Sequence, residues 1–501
     1  MTLFIQGMAA LCTPLCLILM FLGVFVGIIF GCLPGLSTIT AFVLFLPFTY
    51  TLEIYPAFSL LMGIFVGGAS GGLISAILLN TPGTAASVAT CFDGYPMTKR
   101  GEAAKALGVA LLASFIGTLI GVGVLIFAAP TIAKVALTFT NYEYFSLTFF
   151  SLTLIAGLSG KSMLKGIAGG LIGIAIGTVG LAPIDSVKRF TFGLPILING
   201  FEITTVVIAF FAFGEVLNLA ENVKSNRKRP KQNAKIKGFG VSFAEMKGQI
   251  LNLIRSSLIG VGIGILPGIG GGTSNLIAYA VAKSCSKYPE KFGTGIIDGI
   301  VASETDNNAS LGGALVPLLT LGIPGDGPSA LLLGAFTVHG LAAGPLLFTK
   351  SEDLVYFIFA CMLVGSFVML IEEFFGMRIF IRILALPISI IMPIVMLLCI
   401  VGTYAVNNRM FDVVTILIFA VMGYLLKKFE FPLTPVMLGY ILGSMVETYL
   451  RRALQMSKGS LVPFFTRPVS LVFIVIAVAF LVYTLIKNYK ESKTKDVEAI
   501  A

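Results

Sequence analysis

Residues 10–40 read ALCTPLCLILMFLGVFVGIIFGCLPGLSTIT. The run contains no Asp, Glu, Lys or Arg, and the whole of 1–52 is equally free of them. About 20 apolar residues span a bilayer as a helix. Residues 54–92, 106–133, 256–282, 327–349 and 383–408 are charge-free as well. Of 501 residues, 57% are hydrophobic and 12% charged, against about 45–50% and 25% in an ordinary soluble domain. The chain therefore reads as an all-α polytopic membrane protein. A soluble enzyme, a nucleic-acid module, a secreted disulfide scaffold and a disordered chain are excluded.

The net charge of +10 sits in short loops. The densest cluster is Lys224, Arg227, Lys228, Arg229, Lys231, Lys235 and Lys237; others are Lys99, Arg100 and Lys105, and Lys487 to Lys495. By the positive-inside rule these loops face the cytoplasm. The seven cysteines form no CxxC pair and read as small core hydrophobes. The N-terminal run lacks the basic start of a signal peptide and is too long for one, so it reads as a retained helix.

Apolar segments place spans near 10–33, 57–80, 106–129, 144–160, 166–183, 202–220, 255–282, 307–321, 327–349, 354–371, 383–404, 410–426, 431–446 and 468–486. Some read as half-helices or re-entrant hairpins, for about 11–14 membrane elements. The polar stretch 222–250 divides the chain into a first membrane repeat (1–221) and a second (251–450). A C-terminal helix and basic tail (451–501) follow.

The repeat rests on two ordered pairs of motifs. Residues 27–35 read GIIFGCLPG and 260–268 read GVGIGILPG. Residues 71–84 read GGLISAILLNTPGT and 312–326 read GGALVPLLTLGIPGD. The second pair matches Gly71 and Gly72 with Gly312 and Gly313, and Pro82 and Gly83 with Pro324 and Gly325, with one residue inserted.

Pro lacks a backbone donor and clashes with the preceding turn, and Gly admits conformations closed to other residues. Pro-Gly inside an apolar span therefore breaks the helix. The freed backbone groups must be buried in protein or line a wet cavity. Paired breaks in two halves point to a secondary-transporter site, where half-helix N-termini meet an anion and freed carbonyls meet a cation. The candidate substrate-binding residues are Pro34, Gly35, Ser37, Thr38, Asn80, Thr81, Pro82, Gly83, Thr84, Gly268, Thr273, Pro324 and Gly325. Ser274 and Asn275 accompany Thr273. Close packing of small residues is the competing reading, and Gly23 and Gly27 fit it better.

Ionisable groups at membrane depth are costly and mark function. Asp93, Glu304, Asp306, Asn307, Asn308 and Asp326 are the candidate ion-coupling residues. Asp93 could equally cap a helix, whereas the Glu304–Asn308 group, with carboxylate and amide oxygens suited to a hard cation, reads better as a site than as a cap. His339 reads as a core histidine, with proton coupling the alternative. Gly160-Lys161-Ser162 ends like a Walker A motif, but Ile155 holds the first glycine position. No ATP site follows, and an ion gradient or an external ATPase must supply the energy.

The sequence resembles the large membrane subunit of the tripartite tricarboxylate transporter family. The resemblance is carried by GLISAILLNTPGTAASVATCFDGYPM (72–97), NNASLGGALVPLLTLGIPGD (307–326), the glycine-rich LPG segments at 31–46 and 264–282, and HGLAAGPLLFT (339–349). It extends over roughly 20 to 450. It implies a permease of the bacterial inner membrane, driven by Na⁺ or H⁺ and without a further cofactor. It also implies a periplasmic solute-binding protein that delivers a carboxylate, and a small membrane subunit of about four helices. Nucleic acid has no place in it. The chain departs from the family's Pro-Glu-Ala-Ala-Asn-Asn-like run with Ser-Glu-Thr-Asp-Asn-Asn at 303–308. Ser37 and Asp326 stand where glycine and small residues are usual. The alternatives are a stand-alone carboxylate symporter and, more remotely, an intramembrane aspartyl hydrolase using Asp93 and Asp326; the latter lacks the GxGD spacing.

Overall fold

The computed structural model describes residues 2–157, 163–214, 216–217, 240–384 and 388–500. Gly160, Lys161, Ser162, the 224–237 basic cluster and most of the 222–250 stretch lie outside the described residues. The described chain is almost entirely helical, as the sequence requires. In lipid every backbone group must find its partner within the protein, and a helix does this inside one segment.

The helices of the first half are α1 (Thr2–Leu11), α2 (Pro14–Cys32), α3 (Thr38–Thr49), α4 (Ile54–Leu79), α5 (Val88–Lys99), α6 (Ala103–Ala136), α7 (Asn141–Gly157), α8 (Met163–Gly177) and α9 (Ile203–Val207). A π-helical stretch, Ile208–Phe213, continues α9. The second half holds α10 (Phe243–Gly248), α11 (Ile250–Gly264), α12 (Gly270–Cys285), α13 (Ile297–Leu321), α14 (Gly327–Val338), α15 (Leu347–Lys350), α16 (Glu352–Leu384), α17 (Ile388–Asn407), α18 (Met410–Lys428), α19 (Leu433–Met456), α20 (Val462–Thr466) and α21 (Pro468–Ile500). Among the described residues the one sheet is an antiparallel ribbon pairing Gly180–Leu181 with Lys188–Arg189. Among the described residues five helices (α2, α4, α6, α16 and α18) are long and apolar enough to cross a membrane.

Two compact units form, each drawing on both halves of the chain. One comprises Met1–Lys134 and Val207–Val421. Its centre is α4 and α13, buried on every face from Pro56 to Leu78 and from Gly299 to Thr320. The other comprises Val135–Val206 and Met422–Ala501. There α8 and α19 cross at glycines: a Cβ on Gly439 would fall 2.2 Å from the Gly170 carbonyl. The same unit holds an ion-pair chain in which Arg451 contacts Glu447 and Asp185, and Arg189 contacts Glu447, at 2.5–3.1 Å.

Several elements differ from the sequence expectation, and three of them bear on the site. The 255–282 span is two helices, α11 and α12. The span expected at 307–321 begins at Ile297, so Glu304 and Asp306 lie inside a buried helix. The expected spans left out α3 altogether. Hydropathy reports how apolar a segment is, but neither its changes of direction nor which carboxylates its neighbours cover.

Candidate functional site

In the first unit α2 and α4 run side by side in the same direction. Cβ atoms on Gly23, Gly27 and Gly31 would meet the carbonyls of Leu60, Ile64 and Gly68 at 2.3, 2.6 and 2.4 Å. Backbones this close admit only glycine. α3 turns back along α4, with Thr38 against Gly68 and Phe42 against Phe65. α2 and α3 are thus the arms of a hairpin with its tip at 33–37, where Gly35 adopts φ 90°. α4 stops at Asn80, and the chain folds back until Gly83 touches Gly31 and Gly72. α5 then resumes α4's direction, with the Thr98 hydroxyl donating to the Ile77 carbonyl at 2.8 Å.

The second half repeats this construction upside down. α11 and α13 run in parallel, with Gly260 and Gly264 against the Asp306 and Ser310 carbonyls. α12 runs back along α13: Ser274 donates to Asp306 (2.7 Å), Asn275 to the Ser303 carbonyl (3.0 Å), and Tyr279 reaches Gly299. This hairpin has its tip at 265–269, where the Gly268 N–H donates to the Gly325 carbonyl at 2.8 Å.

Asp93 fixes the relative direction. Its Oδ1 accepts from the N–H groups of Gly293, Gly295 and Ile296, just ahead of α13. The end of α5 and the start of α13 therefore share one face, and Lys105 pairs there with Glu245, shortly before α11, at 2.5 Å. α4 runs toward this face and α13 away from it. The two hairpins open on opposite faces, and each has its tip near the α4–α13 crossing, with Thr38 against Gly68 and Gly271 beside Asn307. Where α4 and α13 cross, Asn307 Nδ2 donates to the Ala69 carbonyl at 3.0 Å. Reciprocal contacts flank the crossing: Gly272 lies against Ala85, and Gly327 against Ile39.

The two central helices correspond at an offset of 242 residues (Gly68 to Ser310). Gly71 and Gly313 touch the carbonyls of Ile28 and Val261; Gly83 and Gly325 touch those of Gly31 and Gly264. Asn80 and Gly322 end their helices in the left-handed conformation, at φ 55° and 73°. Thr84 with Ser87 and Asp326 with Ser329 then form capping boxes. Gly71 therefore corresponds to Gly313 rather than Gly312, and the expected inserted residue is absent. A sequence comparison pairs any two adjacent glycines, whereas the structure selects the one that faces the neighbouring helix.

Of the candidate substrate residues, Thr38 packs on Gly68, Gly83 on Gly31 and Gly72, Thr84 on Gly72, and Gly268 on Gly325; Pro34, Gly35, Ser37, Pro82 and Pro324 adjoin them in sequence. Thr273 lies in the first turn of α12 beside Ser274, whose hydroxyl donates to Asp306. Asn80 and Thr81 are exposed at the fold-back. The N-termini of α3 and α12, which have no side-chain cap among the described residues, lie near the crossing, Thr38 against Gly68 and Gly271 beside Asn307, and carry unpaired N–H groups and a partial positive charge. The start of α14 is already capped by Asp326, and the turn ahead of α5 by Ser87 and Asn275.

The candidate ion residues divide. Glu304, Asp306, Asn307 and Asn308 are all buried on α13. Glu304 accepts from Thr90 (2.5 Å) and Ser114 (3.1 Å). Asp306 Oδ1 accepts from Ser274, and its Oδ2 has no partner. Asn308 donates to the Glu304 carbonyl at 3.1 Å. Asp93 instead gives Oδ1 to three backbone donors and Oδ2 to the Tyr279 hydroxyl at 2.8 Å. Asp326 caps α14 through the Ser329 N–H at 2.9 Å. His339 lies at the end of α14 beside Phe58, its Nε2 buried without a partner.

Asn275 is a larger part of the site than the sequence suggested. Its Oδ1 accepts from the Ala89 N–H at 2.9 Å while its Nδ2 donates to Ser303, tying the start of α5 to α13. Thr90, Ser114 and Ser303, which surround Glu304, escaped sequence reading because isolated hydroxyls in apolar spans carry no spacing signal. Glu373 on α16, fully buried, escaped as well, because it belongs to no motif and lies beyond the 354–371 span.

Comparison with known proteins agrees with this architecture. Residues 17–438 match the family described as the tripartite tricarboxylate transporter TctA family. An uncharacterized 52.8 kDa protein of Agrobacterium vitis, from the TAR-I ttuC' 3' region, is 31% identical over 489 residues, covering 98% of this chain and 97% of its own. A second uncharacterized protein of that organism, from the TAR-II ttuC' 3' region, is 35% identical over 208 residues, covering 42% of this chain and 86% of its own. No solved structure matches.

Proposed function

Because this chain belongs to the tripartite tricarboxylate transporter TctA family, we propose that it is the permease subunit that carries a carboxylate across the bacterial inner membrane, driven by an Na⁺ or H⁺ gradient. Its two halves act as inverted repeats around the α4–α13 crossing. A periplasmic solute-binding protein delivers the substrate, and a small membrane subunit completes the complex.

One observation carries the reading: four broken elements converge at that crossing, with the N-termini of α3 and α12 near it and an amide, Asn307, between them. A carboxylate brought there meets backbone N–H groups and positive helix ends in a water-poor setting, which favours an anion without a fixed cationic side chain. Ser37, Thr38, Thr81 and Thr84 add hydroxyl donors at the same breaks. The acidic and amide oxygens of α13 lie beside this region and suit a proton or a hard cation. Inverted hairpins let the same residues face either side of the membrane in turn, the geometry alternating access requires.

The test is uptake of labelled citrate and a panel of other carboxylates into cells expressing this chain with its small subunit, with and without the binding protein. Na⁺ and proton gradients are imposed separately. Uptake that needs both the binding protein and one gradient is the expected result. Uptake that persists without the binding protein would make the chain an autonomous symporter.

A further inference from the structure

α16 is an unbroken helix that packs along α2 and α4. It carries Glu373, which has no exposed surface. Among the described residues neither carboxyl oxygen of Glu373 has a hydrogen-bond partner. The Ser70 hydroxyl of α4 faces the carboxyl and is likewise buried, with no partner among the described residues. Ser70 follows Ala69, whose carbonyl receives Asn307 at the α4–α13 crossing. A buried carboxyl therefore abuts the element that holds the transport breaks, and no contact described above uses it.

Three observations define what this carboxyl can bind. An ionised carboxylate without donors costs several kcal/mol or more in a low-dielectric interior, roughly the whole margin of a fold. Among the described residues no cationic side chain pairs with it. α1 and α2 carry no charged residue; α4 brings only Tyr55, tilted against Phe357 near the start of α16. α15 brings Lys350, also at that start, and α6, which meets α16 through Phe115 and Phe367, is uncharged between Lys105 and Lys134. On α16 itself Glu372 adjoins and Arg378 follows; from α13, Glu304 lies within electrostatic reach. Both carboxylates add repulsion, not relief. Finally, a hard metal ion takes about six oxygens, whereas Glu373 and Ser70 offer three, because the carbonyls of intact α4 and α16 are committed to their own helices.

We propose that Glu373, facing Ser70 across the α4–α16 contact, is a proton-binding site that couples transport to the proton gradient. With a proton bound, the carboxyl is neutral, donates to Ser70 and stays buried as α4 moves. Released to water on one side, it becomes a charge that cannot return to the interior until it is protonated again. The step moves one proton on and off a carboxyl oxygen and breaks no other bond. The inference rests on the permease reading for its transport half, and on burial alone for its proton half.

Glu373→Gln, which imitates the protonated carboxyl, tests both halves in the full complex reconstituted in liposomes. The expected result is loss of proton-driven citrate accumulation with citrate exchange retained. Infrared difference spectra of the same protein should lose a protonated-carboxyl C=O stretch. Accumulation with an unchanged pH profile in E373Q would overturn the proposal, as would a wild-type spectrum with no such band to lose. If E373Q does not assemble, Glu373→Asp serves instead; it keeps a titrating group, and its uptake profile should shift in pH, whereas an unmoved profile counts against the proposal. A wild-type complex that takes up no carboxylate of the panel would sink the permease reading, and the infrared band would still report whether Glu373 holds a proton.

Discussion

Asp93 offers the sharpest test of how the site is built, because its two candidate roles predict opposite outcomes for one substitution. It presents acceptors to four donors: the N–H groups of Gly293, Gly295 and Ile296 at 2.9, 2.7 and 3.0 Å, and the Tyr279 hydroxyl at 2.8 Å. A hydrogen bond to a charged group contributes about 1.5–3 kcal/mol, and a buried donor left bare costs about 1–3 kcal/mol. The 293–296 segment is partly exposed, so water replaces some of what Asp93→Ala removes. A net loss of about 4–6 kcal/mol is expected, a large part of the 5–15 kcal/mol that holds a domain folded. Asp93→Ala should therefore yield little folded protein. Asp93→Asn keeps an oxygen for the three N–H groups and lets the Tyr279 hydroxyl turn to accept. It loses the charge, which roughly halves those bonds, for a cost of about 2 kcal/mol. Thermal melting followed by fluorescence-detected size exclusion should show D93N folded but melting lower than wild type. Uptake per folded molecule should be close to wild type. If D93N melts like the wild type while driven uptake is abolished, the anchoring argument is wrong and Asp93 belongs to the ion path.

Three further outcomes are expected. A Cβ on Gly83 would fall 2.1 Å from the Gly31 carbonyl, whereas one on Gly123 meets nothing within 4 Å. Gly83→Ala should thus lose about 1–3 kcal/mol from overpacking, while Gly123→Ala is neutral or gains up to about 1 kcal/mol; the yield of monodisperse protein compares the two. Asn80→Gly keeps the left-handed backbone at φ 55° and removes only the amide, and Asn308→Ala removes the amide beside Glu304. Both should assemble and lose uptake, and normal uptake in both would remove these side chains from the site. Near the basic face, the Lys105 ammonium hydrogen-bonded to Glu245 holds that carboxyl down at about 2, from 4.5. Because the folded value is the lower one, the stabilisation is present above about pH 4.5 and lost as pH falls through about 2. The pair is partly exposed, so the effect is small and screened by salt. A wild-type minus Glu245→Gln difference in melting temperature that stays constant across that window would contradict it.

Much of this architecture was legible before any coordinates. Charge-free runs such as 10–40 dictate membrane helices, because hydrocarbon admits few charges and no unpaired backbone. Pro34-Gly35, Pro82-Gly83, Pro267-Gly268 and Pro324-Gly325 mark the breaks, because proline and glycine act on their own turn of chain wherever it lies. The shared motifs at 72–97 and 307–326 carry the family resemblance. All of these are local properties, written in consecutive residues.

What the tertiary structure alone decided is direction and depth. The segment 255–282 is equally apolar whether it crosses the membrane or turns back. Only contacts between distant residues, Ser274 with Asp306 and Asn275 with Ser303, show that it is a hairpin. Asp93 and Glu304 look alike in sequence, one acidic residue near each break. The first is held by the backbone ahead of α13, and the second is sealed among Thr90, Ser114 and α13. Glu373 carries no motif, and only the tertiary structure shows it buried with Ser70 of α4 facing it. A carboxyl's role follows from which donors surround it, and those donors come from parts of the chain that only folding brings together.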